Sequence, residues 1–233
     1  MPIKATIAEV RQETPTVRSF LLHLGGHRID FKAGQWVDLY AQVGGQVGTG
    51  GYSITSSPLR LGSIELAVKL VGRNPVTWWL HRRARPGDTV YLEGGHGEFC
   101  YEQAMGDDLV LVGGGIGITP LMSILRYVDE GAPNTRALLL YSARHGEELL
   151  FRGQIEEIAR RNRRLRCVFT VSGADPAWGG RRGRIDGALL EGAGAGREAL
   201  YYVCGPPAMI ESVGAQVAAL GVPGERIRFE RWW

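Results

Sequence analysis

Four glycines fall within five positions at Gly113-Gly114-Gly115-Ile116-Gly117, between the apolar run Leu109–Val112 and a Thr119-Pro120 pair. Such a run turns the backbone sharply and lets it approach a ligand without Cβ clashes. The apolar run is too short for a helix and reads as a buried strand, while Leu121, Ile124, Leu125 and Val128 recur after it at helical spacing. Strand, glycine turn and helix N-terminus together offer N–H groups and a positive dipole end to an anion, which is the chemistry of a phosphate cradle. Gly114, Gly115, Gly117 and Thr119 are its candidate contacts. The spacing is not G-x-G-x-x-G, and a bare βα turn is the alternative. A second strand-to-helix junction, Cys204-Gly205-Pro206-Pro207, follows the apolar Leu200–Cys204 and precedes Met209, Val213, Val217 and Leu220 at helical spacing. Nothing beside Cys204 in sequence marks an activated thiolate.

Two further stretches carry chemistry. Tyr52-Ser53 sets a flat aromatic face next to a hydroxyl, able to hold a planar ring and hydrogen-bond its edge; a strand with a buried Tyr is the alternative. In Gly72-Arg73-Asn74-Pro75-Val76-Thr77, Asn74 suits an N-cap and Pro75 a first helical turn. Free N–H groups near Val76 and Thr77, the Thr77 hydroxyl and the neighbouring Arg73 suit a phosphate. A plain capped helix that packs Trp78 or Trp79 inward is the alternative. Lys69, ending a strand, is either one more cation for that site or a solvated edge charge.

These residues need a scaffold. Across residues 3–100, short alternating or β-branched runs (Ala5–Val10, Val17–Leu22, Trp36–Ala41, Ile64–Leu70, Val90–Glu93) separated by Gly/Pro turns predict a small antiparallel β-barrel with one helix. From about 107, the runs Leu109–Val112, Ala137–Tyr141, Leu165–Val171, Leu200–Cys204 and Ile227–Phe229 alternate with helical stretches near 119–130, 147–162 and 206–220. That pattern predicts a parallel doubly wound α/β domain. The domains are placed at 1–103 and 104–233, with the cofactor cleft between them. The glycine-rich Gly44–Gly51 and Gly192–Gly196 read as mobile surface loops.

Gly51–Pro58, Gly113–Pro120 (GGGIGITP) and Tyr202–Met209 stand in the order seen in the ferredoxin–NADP reductase superfamily. The chain resembles most the branch of oxidoreductase NAD-binding-domain-containing proteins, whose members typically end in a Trp pair. The resemblance covers nearly the whole chain. It implies FAD on the barrel, with Tyr52 against the flavin, Ser53 near its reactive nitrogen, and Gly72–His81 as the second flavin-phosphate motif. It implies NAD or NADP at the glycine turns, with Gly205 and Pro206 in contact, Cys204 near the nicotinamide, and Ser142, Arg144 and Ser172 toward the adenosine end. Trp233 would cover the flavin, and Glu230 would assist proton movement. Asp175 suits a free 2′-hydroxyl, whereas Arg144, Arg181 and Arg182 suit a 2′-phosphate, so the nucleotide stays open. The family's Arg on the flavin pyrophosphate is here Gly50, and no Lys or Arg lies between Lys32 and Arg60. Losing one such charged fork costs roughly 1.5–3 kcal/mol, about ten- to a hundred-fold in affinity. Weak FAD binding, or FMN in its place, is expected.

Composition narrows the rest. The chain has 233 residues, 44% hydrophobic and 22% charged, with a formal charge of +3, as for an ordinary globular protein without a nucleic-acid face. Arg160-Arg161 and Arg163-Arg164 read as a solvated helix end. No apolar run approaches a membrane span, and Met1-Pro2-Ile3-Lys4 has no signal-peptide pattern. Three dispersed cysteines argue against a disulfide framework, a metal site or a cysteine-held iron–sulfur cluster, and favour a reducing cytoplasm. The resulting expectation is an NAD(P)H-dependent flavin oxidoreductase that passes hydride to FAD and electrons to a separate acceptor. A reductase using free flavin as substrate and a non-catalytic NAD(P)H-binding subunit are the alternatives.

Overall fold

A computed structural model describes residues 1–231. Six strands, β1 (Ile3–Thr14), β2 (Val17–His23), β3 (Trp36–Val43), β4 (Gln46–Ser53), β5 (Ser63–Lys69) and β6 (Thr89–His96), pair antiparallel in the order β4-β3-β6-β1-β2-β5. A bridge from Ile54 to Leu66 joins the end of β4 to β5 and closes the sheet into a barrel. Its interior is filled by alternate residues such as Ile7, Phe20, Leu22, Val37, Leu39, Ile64, Leu66 and Val90, as period-2 burial requires. Helix α1 (Pro75–Arg82) adds Val76 and Leu80 to that core, with Asn74 capping its start. Of the two tryptophans on α1, Trp79 packs inward and Trp78 stays exposed under Arg83.

The reading of Gly44–Gly51 as a mobile loop is corrected. Only Gly44-Gly45 turn, both at positive φ, and the stretch from Gln46 onward pairs along β3 with Leu39 opposite Gly50 and Val37 opposite Tyr52. The glycines have a packing cause: a Cβ on Gly48 would lie 2.8 Å from the Val76 side chain, so α1 sits directly on the strand backbone.

The second unit is a parallel sheet of β7 (Asp108–Gly114), β8 (Arg136–Ala143), β9 (Leu165–Val171), β10 (Arg181–Arg182), β11 (Leu200–Cys204) and β12 (Ile227–Glu230), in the order β10-β9-β8-β7-β11-β12. Helices α2 (Ile118–Gly131) and α3 (Arg152–Arg161) cover one face, and α4 (Gly187–Ala193) and α5 (Pro207–Ala219) the other. Leu109 and Leu111 point to the first layer, Val110 and Val112 to the second. Both faces are buried, which explains why β7 reads as a continuous apolar run. β10 is two residues long and α4 seven, and the sequence reading placed neither. Arg160 pairs with Glu157 and Arg161 with Asp129 at the exposed end of α3.

The domains are stitched together across the 97–107 connection and beyond it. Ala33 bridges to Tyr101, and the Tyr202 hydroxyl donates to the Cys100 carbonyl at 2.9 Å. On the other side of the junction, Ser123 Oγ of α2 donates to the Ser56 carbonyl at 2.8 Å. Among the described residues no helix is long and apolar enough to cross a membrane, and no cluster of metal-ligating side chains forms.

Candidate functional site

Strand order in the parallel sheet reverses at β7. From it the chain winds through β8, β9 and β10 to one edge, and β11 and β12 complete the other. Open α/β sheets form their ligand crevice at such a switch point, outside the strand C-termini. Both glycine junctions lie there. Cys204 pairs with Gly113. A Cβ on Gly205 would sit 3.1 Å from Gly114 Cα, and one on Gly117 would overlap the Cys204 carbonyl and lie 2.7 Å from Gly205 N. The two turns therefore meet backbone to backbone, with Met209 and Pro206 packed on Gly114. Gly115–Gly117 form a 3-10 turn, with Gly115 at φ 54, that leads into α2. The Thr119 hydroxyl is spent locally on the Ile116 carbonyl at 2.9 Å, and Gly117 at the N-cap supplies no side chain. The Ile118 N–H closes the turn on the Gly115 and Ile116 carbonyls, and Pro120 carries no N–H, so the start of α2 has no capping side chain and few donors left for an anion.

Tyr141 braces this turn, a role that sequence reading missed because a Tyr in a buried strand carries no motif. Its hydroxyl donates to the Gly115 carbonyl at 3.0 Å and accepts the Leu150 N–H at 3.1 Å. Burial pushes its pKa well above the usual phenol range, so it stays neutral. Tyr141→Phe strands the Leu150 N–H and releases Gly115. The expected loss is about 1–3 kcal/mol, read by denaturant unfolding, together with weaker NADH binding in a fluorescence titration.

At the neighbouring strand ends, Ser142 is buried opposite Gly114, and Ser172 Oγ donates to the Ala143 carbonyl at 3.2 Å. Arg144 is exposed beyond β8. A cavity of about 390 Å³ lies beside them, lined by His145, Glu147, Arg152, Asp175 and Trp178. Asp175 spends its carboxylate on the Gly146 N–H at 2.7 Å and the Ala177 N–H at 3.1 Å. The Gly146 bond in particular holds its pKa below the usual carboxylate range. Arg182 donates to the carbonyls of Asp175 and Trp178, and Arg152 stacks on the Trp178 ring.

On the barrel, the Tyr52 hydroxyl bonds Thr77 Oγ1 at 2.9 Å, and burial pushes its pKa up to about 12. Its ring lies over Gly50, where an added Cβ would overlap the hydroxyl and sit 2.8 Å from Cζ. The expectation of free N–H groups at Val76 and Thr77 is corrected. Both donate to Asn74 Oδ1, at 2.9 and 3.1 Å, because a cap and a phosphate compete for the same donors. Asn74 Nδ2 also holds the Thr49 carbonyl. Arg73 is exposed on the turn before the cap, and Lys69 closes β5 opposite Val17. Ser53 is buried at the end of β4, and the Trp36 ring, packed on Gly51, lies 4.9 Å from His96. The aromatic faces and the Ser53 hydroxyl fit a flavin ring. The diphosphate end is poorer: its family cation is missing, and the helix donors are already taken.

Glu230 stands opposite Cys204 in the β11–β12 register, half-buried, and burial raises its carboxyl pKa. A carboxyl that protonates more readily in the fold than in the unfolded chain makes the fold bind more protons above about pH 4.5. Stability therefore falls as pH rises from there through the raised pKa. Glu230→Gln is expected to remove that slope and raise Tm at pH 7–8, checked by thermal melts between pH 4 and 8. The role given to Trp233 lies outside the described residues. Cys204 is buried.

The family model described as "Oxidoreductase FAD-binding domain" matches residues 4–101, and "Oxidoreductase NAD-binding domain" matches residues 111–214. Oxidoreductase NAD-binding domain-containing protein 1 of Xenopus tropicalis is 36% identical, covering 98% of this chain and 79% of the relative. Ferredoxin--NADP reductase B of Sorangium cellulosum is 31% identical, over 99% of this chain and 98% of its own. The flavohem-like FAD/NAD binding domain of nitric oxide dioxygenase from Vibrio cholerae superposes with a TM-score of 0.89 at 24% identity, over 99% and 98% of the two chains. That structure shares the fold, a barrel followed by a parallel-sheet domain.

Proposed function

The chain belongs to the ferredoxin reductase-like oxidoreductases, which join an FAD-binding to an NAD-binding domain, and from that premise we propose that it oxidises NAD(P)H by hydride transfer to a flavin and delivers the electrons to a separate acceptor. The observation that carries this reading is the backbone-to-backbone meeting of Gly113–Gly117 with Cys204–Pro206 at the switch point. There the positive dipole end of α2 would face the nucleotide diphosphate, and Gly114, Gly117 and Gly205 let the two turns pack directly on each other and on Met209. Cys204 is small and polarizable and closes the nicotinamide end without blocking it. Ser142, Arg144 and Ser172 line the adenosine end. On the barrel, Tyr52 offers its ring face and Ser53 its hydroxyl to the flavin edge. A flavin held there would supply the two-electron acceptor chemistry. Glu230, whose carboxyl pKa is raised by burial, stands opposite Cys204 in the strand register as the candidate proton carrier. The name of one relative, a ferredoxin--NADP reductase, supports an acceptor that is a separate redox protein.

Tyr52 over Gly50 and the Asn74 cap favour a second reading, in which flavin binds loosely and is reduced as a substrate. Absorbance of the purified protein separates the two. Retained yellow flavin that is bleached by NADH or NADPH supports a resident cofactor. A colourless protein that oxidises either nucleotide only with added FAD, FMN or riboflavin supports a flavin reductase. A colourless protein inert with all three, yet stabilised by the nucleotide, leaves a binding subunit.

A further inference from the structure

Helix α2 starts at the glycine turn and, roughly two turns on, sends Arg126 into the barrel. The Arg126 side chain is only 7% exposed. Its Nη1 donates to the Thr55 carbonyl at 2.9 Å and to Glu65 Oε1 at 2.6 Å, and its Nη2 donates to Gln154 Oε1 of α3 at 2.6 Å. Thr55 is two residues past Ser53, and its own hydroxyl donates to Glu65 at 2.6 Å. Glu65 N–H in turn donates to Ser56 Oγ, while Ser123, one turn before Arg126, holds the Ser56 carbonyl. Behind the guanidinium, 5.1 Å away, lies the ring of Phe151. Phe151, at φ 60, is the single non-glycine residue at positive φ among those described, a strained conformation that persists only where its surroundings over-determine it.

A buried ion pair is a poor stabiliser, since apolar side chains of like volume hold an interface as well or better. What this one supplies is direction. One planar fork grips the strand end that carries Ser53, the β5 carboxylate and α3 at once, from the same helix that starts at the nicotinamide turn. We infer that Arg126 is a positioning residue that fixes the Ser53 strand end relative to the glycine turns, so that transfer between nicotinamide and flavin depends on it while binding of the nucleotide does not. The inference rests on the hydride-transfer reading for its kinetic consequence and on the domain contact for its structural one.

The test uses Arg126→Met with Glu65→Gln, which removes both charges together, beside Arg126→Lys. With NADH or NADPH and added FAD, FMN or riboflavin, the double variant is expected to lower kcat for flavin reduction on the order of 10- to 100-fold, since about 1 Å of misplacement has that effect. The Kd for the nucleotide is expected to stay unchanged within about twofold. Arg126→Lys is expected to recover part of the rate, and amide hydrogen exchange at 54–57 to accelerate in the double variant. An unchanged kcat, or a kcat that falls while Kd rises by a similar factor, overturns the inference. If the wild-type protein reduces no flavin, the hydride-transfer reading fails by itself. Exchange at 54–57 then decides the rest: acceleration supports Arg126 as the residue fixing the strand end, and unchanged exchange overturns it.

Discussion

Gly117→Ala is expected to abolish nicotinamide-nucleotide binding and to destabilise the fold by about 3 kcal/mol, the upper part of the range for overpacking a tight core. The methyl group has nowhere to go. It would overlap the Cys204 carbonyl and lie 2.7 Å from Gly205 N, and both neighbours are backbone rather than a side chain able to swing aside. Relief requires the β11–α5 turn to move away from the β7–α2 turn, which distorts the strand-end crevice that both turns line. Gly117 is not at positive φ, so backbone strain contributes nothing and the effect isolates close approach. Gly115→Ala is the informative comparison. Gly115 is at φ 54 with open space around an added Cβ, so it loses stability through conformation while leaving the two turns in contact. Urea unfolding of the variants alongside NADH titration separates the cases. Tight NADH binding by a folded Gly117→Ala protein would remove the strand-end crevice at these turns as the nucleotide site.

How legible these features were depends on whether their cause is local. Leu109–Gly117 followed by the period of α2 declares itself, because a buried parallel strand, a turn without Cβ atoms and an amphipathic helix each leave a short-range pattern. β4 hides for the opposite reason. Gly48, Gly50 and Gly51 read as a loop, yet a Cβ at Gly48 would meet Val76 of α1, one at Gly50 the Tyr52 ring, and one at Gly51 would press closely on Trp36, contacts made only in three dimensions. Asn74 was readable as a cap, but that its cap consumes the Val76 and Thr77 N–H groups follows only from the side-chain geometry. Arg126 looks like the polar stripe of a helix. Its partners Glu65 and Thr55 are 61 and 71 positions away, and no periodicity announces a charge that is buried by another domain.

Gly50→Arg tests the flavin end of the site, and the structure changes what must happen first. Gly50 is not at positive φ, so arginine suits the strand backbone. The obstacle is Tyr52, whose ring lies where the new Cβ must go. Lifting that ring breaks its bond to Thr77, which costs the protein without flavin about 0.5–1.5 kcal/mol. The freed Thr77 hydroxyl then becomes available to a phosphate beside the new guanidinium. A charged fork on a diphosphate is worth roughly 1.5–3 kcal/mol, so the expected result is FAD bound about ten- to a hundred-fold more tightly. FMN has no diphosphate linkage and should gain less. The Asn74 cap limits the gain, since the α1 N–H groups stay engaged with its side chain. Gly50→Arg with Asn74→Gly, which vacates the cap at a cost of only a few tenths of a kcal/mol, should therefore exceed the single variant for FAD. Flavin fluorescence titrations, with folding followed by circular dichroism, read both. Equal gains for FAD and FMN would place the arginine away from the diphosphate, and a folded variant that binds neither flavin would mean that the barrel holds no flavin at this strand.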